Sequence, residues 1–110
     1  MSQSESQHLY VLRVSRREIL TEGPSETEQG HIARHGEYLQ RMTDEGRVLL
    51  AGRTQNNDER TFGIVLLATC TEEAAAALMA GDPAIEGGVM TGELFPFRTA
   101  FAAPSGGAGN

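Results

Sequence analysis

From His8 to Ser15 the chain alternates, with Tyr10, Leu12 and Val14 on one side and Leu9, Val11 and Arg13 on the other. A two-residue period with apolar residues on both sides predicts a strand covered on both faces. The period changes after Ser25. Ser25 followed by Glu28 three residues on is a capping-box pattern, and beyond it the apolar positions fall on a helical stripe. At about 100° per residue, His31, Ile32, His35, Gly36, Leu39 and Met42 share one face, while Arg34, Glu37, Arg41 and Asp44 share the other. The spacing predicts a helix opening near Ser25 and running to Glu45, with Gly46 as the residue without a Cβ that helix ends favour.

Val48, Leu49 and Leu50 predict a second strand, ended by Gly52, and the polar run RTQNNDER reads as a loop. Thr61 to Thr69 is β-branched and apolar with no helical period, which predicts a third strand antiparallel to the second. Thr71 is an N-cap ahead of Glu72 and Glu73, and AAAALMA supplies strong helix formers before Gly81 stops the second helix. After Asp82, Pro83 and the turn at Gly87 and Gly88, alternation from Val89 to Phe101 predicts a fourth strand. Pro96 cannot donate to a ladder, so it marks a bulge or an edge there. The order βαββαβ is an α+β, ferredoxin-like arrangement, a four-stranded antiparallel sheet with both helices on one face. The other face keeps apolar residues on several strands, so a homodimer packed through its sheet faces, or a higher assembly of such dimers, is expected.

Composition narrows the partners. The 110 residues read as one domain over 8–101, between a fraying N-terminus at 1–7 and a flexible Gly-rich tail at 102–110. A formal net charge of −6 argues against nucleic acid and anionic membranes, which leaves small molecules or proteins. The single cysteine, Cys70, allows no intrachain disulfide and no thiolate metal cluster, and fits a reducing cytoplasm. No apolar run approaches membrane-spanning length, and no apolar segment follows the polar MSQSESQ start. Phosphate-binding glycine loops, dinucleotide fingerprints and GxSxG are absent from the sequence, so no cofactor is expected.

The chemistry-bearing candidate is His35, a titratable ring where an amphipathic helix would carry an aliphatic residue. It is either a general acid or base or a core histidine bonded to a carbonyl, because burial without a partner costs several kcal/mol. His31 and His35 have i, i+4 metal-ligand spacing and His8 is a third histidine, but no HExxH-like pattern accompanies them and no metal is expected. Asp82, before Pro83, is a natural N-cap for a short helical turn. Tyr38 offers a phenol at the stripe edge, and Arg13, Arg53 and Arg98 are cations able to meet an anionic substrate. Cys70 reads as a small buried hydrophobe.

Three segments resemble one family. His35-x-x-Tyr38-Leu39 leads to Asp44-Glu45-Gly46-Arg47-Val48-Leu49-Leu50-Ala51-Gly52, Ala74 begins an Ala-rich helix ending in Asp82-Pro83, and Gly88-Val89 leads to Phe95-Pro96-Phe97. As an ordered set they resemble the YCII-related (YciI-like) proteins of the dimeric α+β barrel superfamily. The resemblance implies a characteristic His and Asp pair, falling on His35 and Asp82, and a dimer with clefts beside its sheets. It implies acid/base proton transfer on a small organic substrate, of isomerase or lyase type and independent of a cofactor; by their own chemistry Tyr38, Arg53 and Arg13 are the substrate-binding candidates. The residues themselves leave a second reading open, a noncatalytic dimeric module for a small ligand or protein in which His35 and Asp82 form a structural pair.

Overall fold

The alternating and helical segments condense into eight elements in a computed structural model that describes residues 4–104. They are β1 (Glu5–Val14), α1 (Glu18–Thr21), α2 (Glu26–Asp44), β2 (Val48–Arg53), β3 (Gly63–Thr71), α3 (Glu72–Ala80), α4 (Pro83–Glu86) and β4 (Met90–Phe97). The sheet order is β2-β3-β1-β4, with every neighbouring pair antiparallel. This is the expected α+β, ferredoxin-like fold, and Pro96 sits on an edge strand where its missing donor is harmless.

Capping explains the helix starts. Ser25 and Glu28 form the reciprocal capping box of α2, and the Arg16 guanidinium grips the Glu28 carboxylate at 2.7 and 2.6 Å. Arg16 first, and the Ser25 backbone N–H second, hold the Glu28 carboxyl down at about 2. Thr71 caps α3 through the N–H of Ala74. Gly46 takes a φ of +77° as the chain leaves α2, a value that favours glycine.

The two faces of the sheet follow from register. Tyr10 lies opposite Val65 and Leu94, and Leu12 opposite Gly63 and Gly92, so these share the face that the helices cover. Tyr10, Leu12, Met42, Val48, Val65, Leu67 and Ala75 form the core there. Each large aliphatic member contributes on the order of 1.5–3 kcal/mol by leaving water. Gly92 makes room for this packing, since a Cβ at that position would stand 2.6 Å from Ile85 Cδ1 and 2.9 Å from Met79 Sδ. Leu9 pairs with Leu66 and Phe95, Val11 with Ile64, and Leu50 with Leu66, all on the opposite face, where Leu50 is 49% and Phe95 42% exposed.

Several boundaries differ from expectation. The first strand begins at Glu5, inside the segment expected to fray. Its polar residues are held by pairing of Glu5 with Thr71, Ser6 with Cys70 and Gln7 with Phe97, and by the Gln7 side chain accepting from Thr99. The rest of the expected fraying segment, residues 1–3, lies outside the described residues, as does the tail beyond 104. The second strand runs through Gly52 to Arg53, because Gly52 pairs with Ile64 and Arg53 with Gly63. The third strand starts two residues later than expected. The fourth ends at Phe97 rather than Phe101, which is 97% exposed. Helix α1 was not expected, and its N-cap Arg17 makes no side-chain cap.

Candidate active site

Asp82 ends the turn after α3 and caps α4, and its side chain is fully buried. A carboxylate without water needs donors for its lone pairs. Oδ1 accepts from the Ala84 backbone N–H at 3.0 Å, and Oδ2 accepts from the Tyr10 hydroxyl at 2.8 Å. The remaining contact is His35 Nδ1, 2.6 Å from Oδ1. The cap and the His–Asp contact therefore coexist, because one carboxylate serves both.

An ionised carboxylate only accepts, so neutral His35 carries its proton on Nδ1 and its lone pair on Nε2. The His35 side chain is 15% exposed, and Nε2 has neither a protein partner among the described residues nor a sealed environment. His35 lines a cavity of about 490 Å³ between α2 and the helix-covered face of the sheet. Ile32 and Leu39 flank His35 on the helix, as its stripe predicts, and Leu12, Val65 and Met90 line the sheet side.

The other candidates divide. Arg53 lines this cavity together with His35. It stands opposite Gly63, which in turn stands opposite Leu12, and a Cβ on that glycine would stand 3.3 Å from the Gly52 carbonyl oxygen and 3.7 Å from Leu12 Cβ. Arg13 does not line the cavity. It projects from the opposite face of β1 and lies over the ring of Phe62, a lining residue, 5.4 Å from its centroid. Tyr38 is half-buried, donates to the Leu78 carbonyl at 2.7 Å, and is also outside the cavity lining. Burial, and then the charge of Asp82, raises its phenol above the ordinary range. His31 packs against Gly87, where a Cβ would collide with its ring, and Nδ1 lies 2.9 Å from Arg34 Nη2.

The alternation puts Tyr10 on one of two covered faces of the first strand and gives it no role in the site. The signal was available in part, since a phenol at a core position of a strand requires a hydrogen-bond partner. Burial first, and then the charge and hydrogen bond of Asp82, hold this hydroxyl protonated far above its usual range. The phenol is thus a permanent donor to Asp82.

A second cavity, of about 530 Å³, lies between α3 and the end of β3 and is bordered by Arg47, Cys70 and Leu78. Cys70 Sγ is 3.9 Å from Nδ1 of the buried His8, and burial raises the thiol above its ordinary range, so it stays a protonated, weakly polar group.

The family model for the YCII-related domain matches residues 8–98. Among solved structures, the fold is similar to that of a 5-chloro-2-hydroxyhydroquinone dehydrochlorinase from Burkholderia phenoliruptrix, in complex with 2,5-dihydroxybenzoquinone. The TM-score is 0.60 and the match covers 84% of this chain and 95% of that one, at 14% identity. Such a likeness speaks for the fold. No functionally curated protein matches the chain in sequence.

Proposed function

This chain belongs to the YCII-related family, and from that membership and the site geometry we propose that it is an enzyme moving a proton on a small organic substrate. The observation that carries this reading is the 2.6 Å contact of His35 with a buried Asp82 whose two oxygens are held by Tyr10 and Ala84. A fixed carboxylate orients the ring, keeps the lone pair on Nε2 and stabilises the imidazolium that forms when Nε2 takes a proton. In an apolar cavity that proton comes from a carbon beside a carbonyl, or from an enolic hydroxyl. Its return from Nε2 to another carbon completes an isomerisation. If the electron pair instead expels a leaving group from the neighbouring carbon, the outcome is an elimination, and the imidazolium loses its proton to water. His35 is the catalytic residue in this scheme and Asp82 its positioning residue.

The same proposal includes a homodimer formed through the apolar sheet face and a reducing, cytoplasmic setting. None of the described helices is long and apolar enough to cross a membrane. The expected absence of a cofactor is consistent with acid/base chemistry, which these side chains supply themselves.

The test reads the ring directly. In ¹⁵N spectra the two imidazole nitrogens of His35 report the Nδ1–H tautomer, and Asp82→Asn shifts both while thermal unfolding shows the variant still folded. Unchanged His35 nitrogens in a folded Asp82→Asn protein overturn the dyad. In the noncatalytic reading the pair is structural, so replacing either residue costs stability and leaves no activity to lose. Titration with 2,5-dihydroxybenzoquinone, the ligand in the structural relative's complex, is expected to perturb Ile32, His35 and Leu39. Perturbations confined to residues outside the cavity overturn its assignment as the substrate site.

A further inference from the structure

The permanent charge that lines the cavity, on the exposed Arg53, opposes the charge of the chain. The protein carries a formal −6, with 15 acidic residues against 9 basic ones. Yet no aspartate or glutamate lines the cavity beside His35, and its one permanently charged lining residue is Arg53. Among the described residues Arg53 makes no ion pair, unlike Arg16, Arg17, Arg47 and Arg60, each of which faces a carboxylate. Its Nε–H donates to the Thr54 carbonyl at 3.1 Å, which anchors the side chain. Both terminal nitrogens are left without a protein acceptor among the described residues, in the planar fork that matches a carboxylate. Asn57 and Thr61 add polar groups to the lining, while the remaining wall is aliphatic and aromatic.

From this arrangement we propose that the cavity takes a compact organic anion, an apolar body bearing one carboxylate, with the carboxylate held by Arg53 and the body against Ile32, Leu39 and Phe62. The inference rests on the reading that this cavity is the substrate site, and adds the substrate's chemical class. The positive charge does two things. It compensates the desolvation of an anion that the acidic exterior repels, and it fixes which end of the molecule faces His35. A cavity of about 490 Å³ falls within the range of small-ligand sites, roughly 300–1,000 Å³.

The test uses benzoate and its neutral isostere benzamide, titrated into the full chain by NMR. Benzoate is expected to bind at least tenfold more tightly, with shifts at Ile32, Leu39 and Phe62. Arg53→Gln is expected to abolish that preference, bringing the two affinities together, and Arg53→Lys to restore part of it. Equal affinity for the two probes, or a preference that survives Arg53→Gln, overturns the proposal. The outcomes separate from those of the dyad test. An Arg53-dependent preference alongside an uncoupled His35 removes the catalytic reading and keeps the anion site, whereas a coupled dyad without the preference removes only the substrate class.

Discussion

At Tyr10 one hydroxyl makes a core aromatic part of the site. Tyr10→Phe keeps the ring and leaves one oxygen of the buried Asp82 without its donor, which costs about 1–3 kcal/mol. For a domain of this size that lowers the midpoint of thermal unfolding by roughly 4–8 °C per kcal/mol. The pH dependence follows from the raised phenol. The folded-state value lies above the ordinary 10.0, so the stabilisation is complete below pH 10 and is lost as pH rises beyond it. Melts of wild type and Tyr10→Phe should therefore differ most at neutral pH and converge above pH 10. A constant difference through pH 11 would break the assignment. The alternation put Tyr10 on a covered face of the strand but could not say what it would meet, because Asp82 lies 72 positions away. Arg13 is the converse. The alternation put Arg13 and Leu12 on opposite faces, but which of the two faces the cavity would use was not legible until the helices packed on the Leu12 side.

Helix α2 begins where local and distant groups meet. The Ser25 and Glu28 cap was legible because its partners are three residues apart, whereas the Arg16 clamp on the same carboxylate was not, since it depends on how the chain turns after β1. Glu28 is held at about 2, below the ordinary 4.5, so its contribution is full above pH 4.5 and disappears as pH falls toward 2. Glu28→Gln is expected to lower the unfolding midpoint at pH 7, with the difference from wild type shrinking between pH 4.5 and 2. A difference that persists at pH 2 contradicts the clamp. Helix α1 escaped the sequence because it is four residues long and lacks a side-chain cap. The start of β1 escaped because backbone pairing with β3 and β4, rather than composition, orders Glu5 to Gln7.

For the whole molecule the consequential surface is the sheet face opposite the helices, where Leu50, Phe95 and Phe97 are 49%, 42% and 37% exposed. Contiguous apolar surface of this kind is normally covered, and the proposed dimer covers it. Light scattering at micromolar concentration should give twice the chain mass for wild type, and Leu50→Lys with Phe95→Glu should give a folded monomer. A monomeric wild type sinks the dimer. The sequence by itself determined the order of the four strands and the two longer helices, the caps of α2 and α3, the two faces of β1 and the histidine in the apolar stripe of α2. These depend on residues within a few positions of one another, whose periodicity and hydrogen bonding are local. Only the tertiary structure decided that Tyr10, Asp82 and His35 meet, and that Arg53 lines the exposed rim of the cavity while Arg13 stays outside it. Those outcomes depend on strand register and helix packing across separations of 47 and 72 residues, which the core as a whole selects and no local pattern encodes.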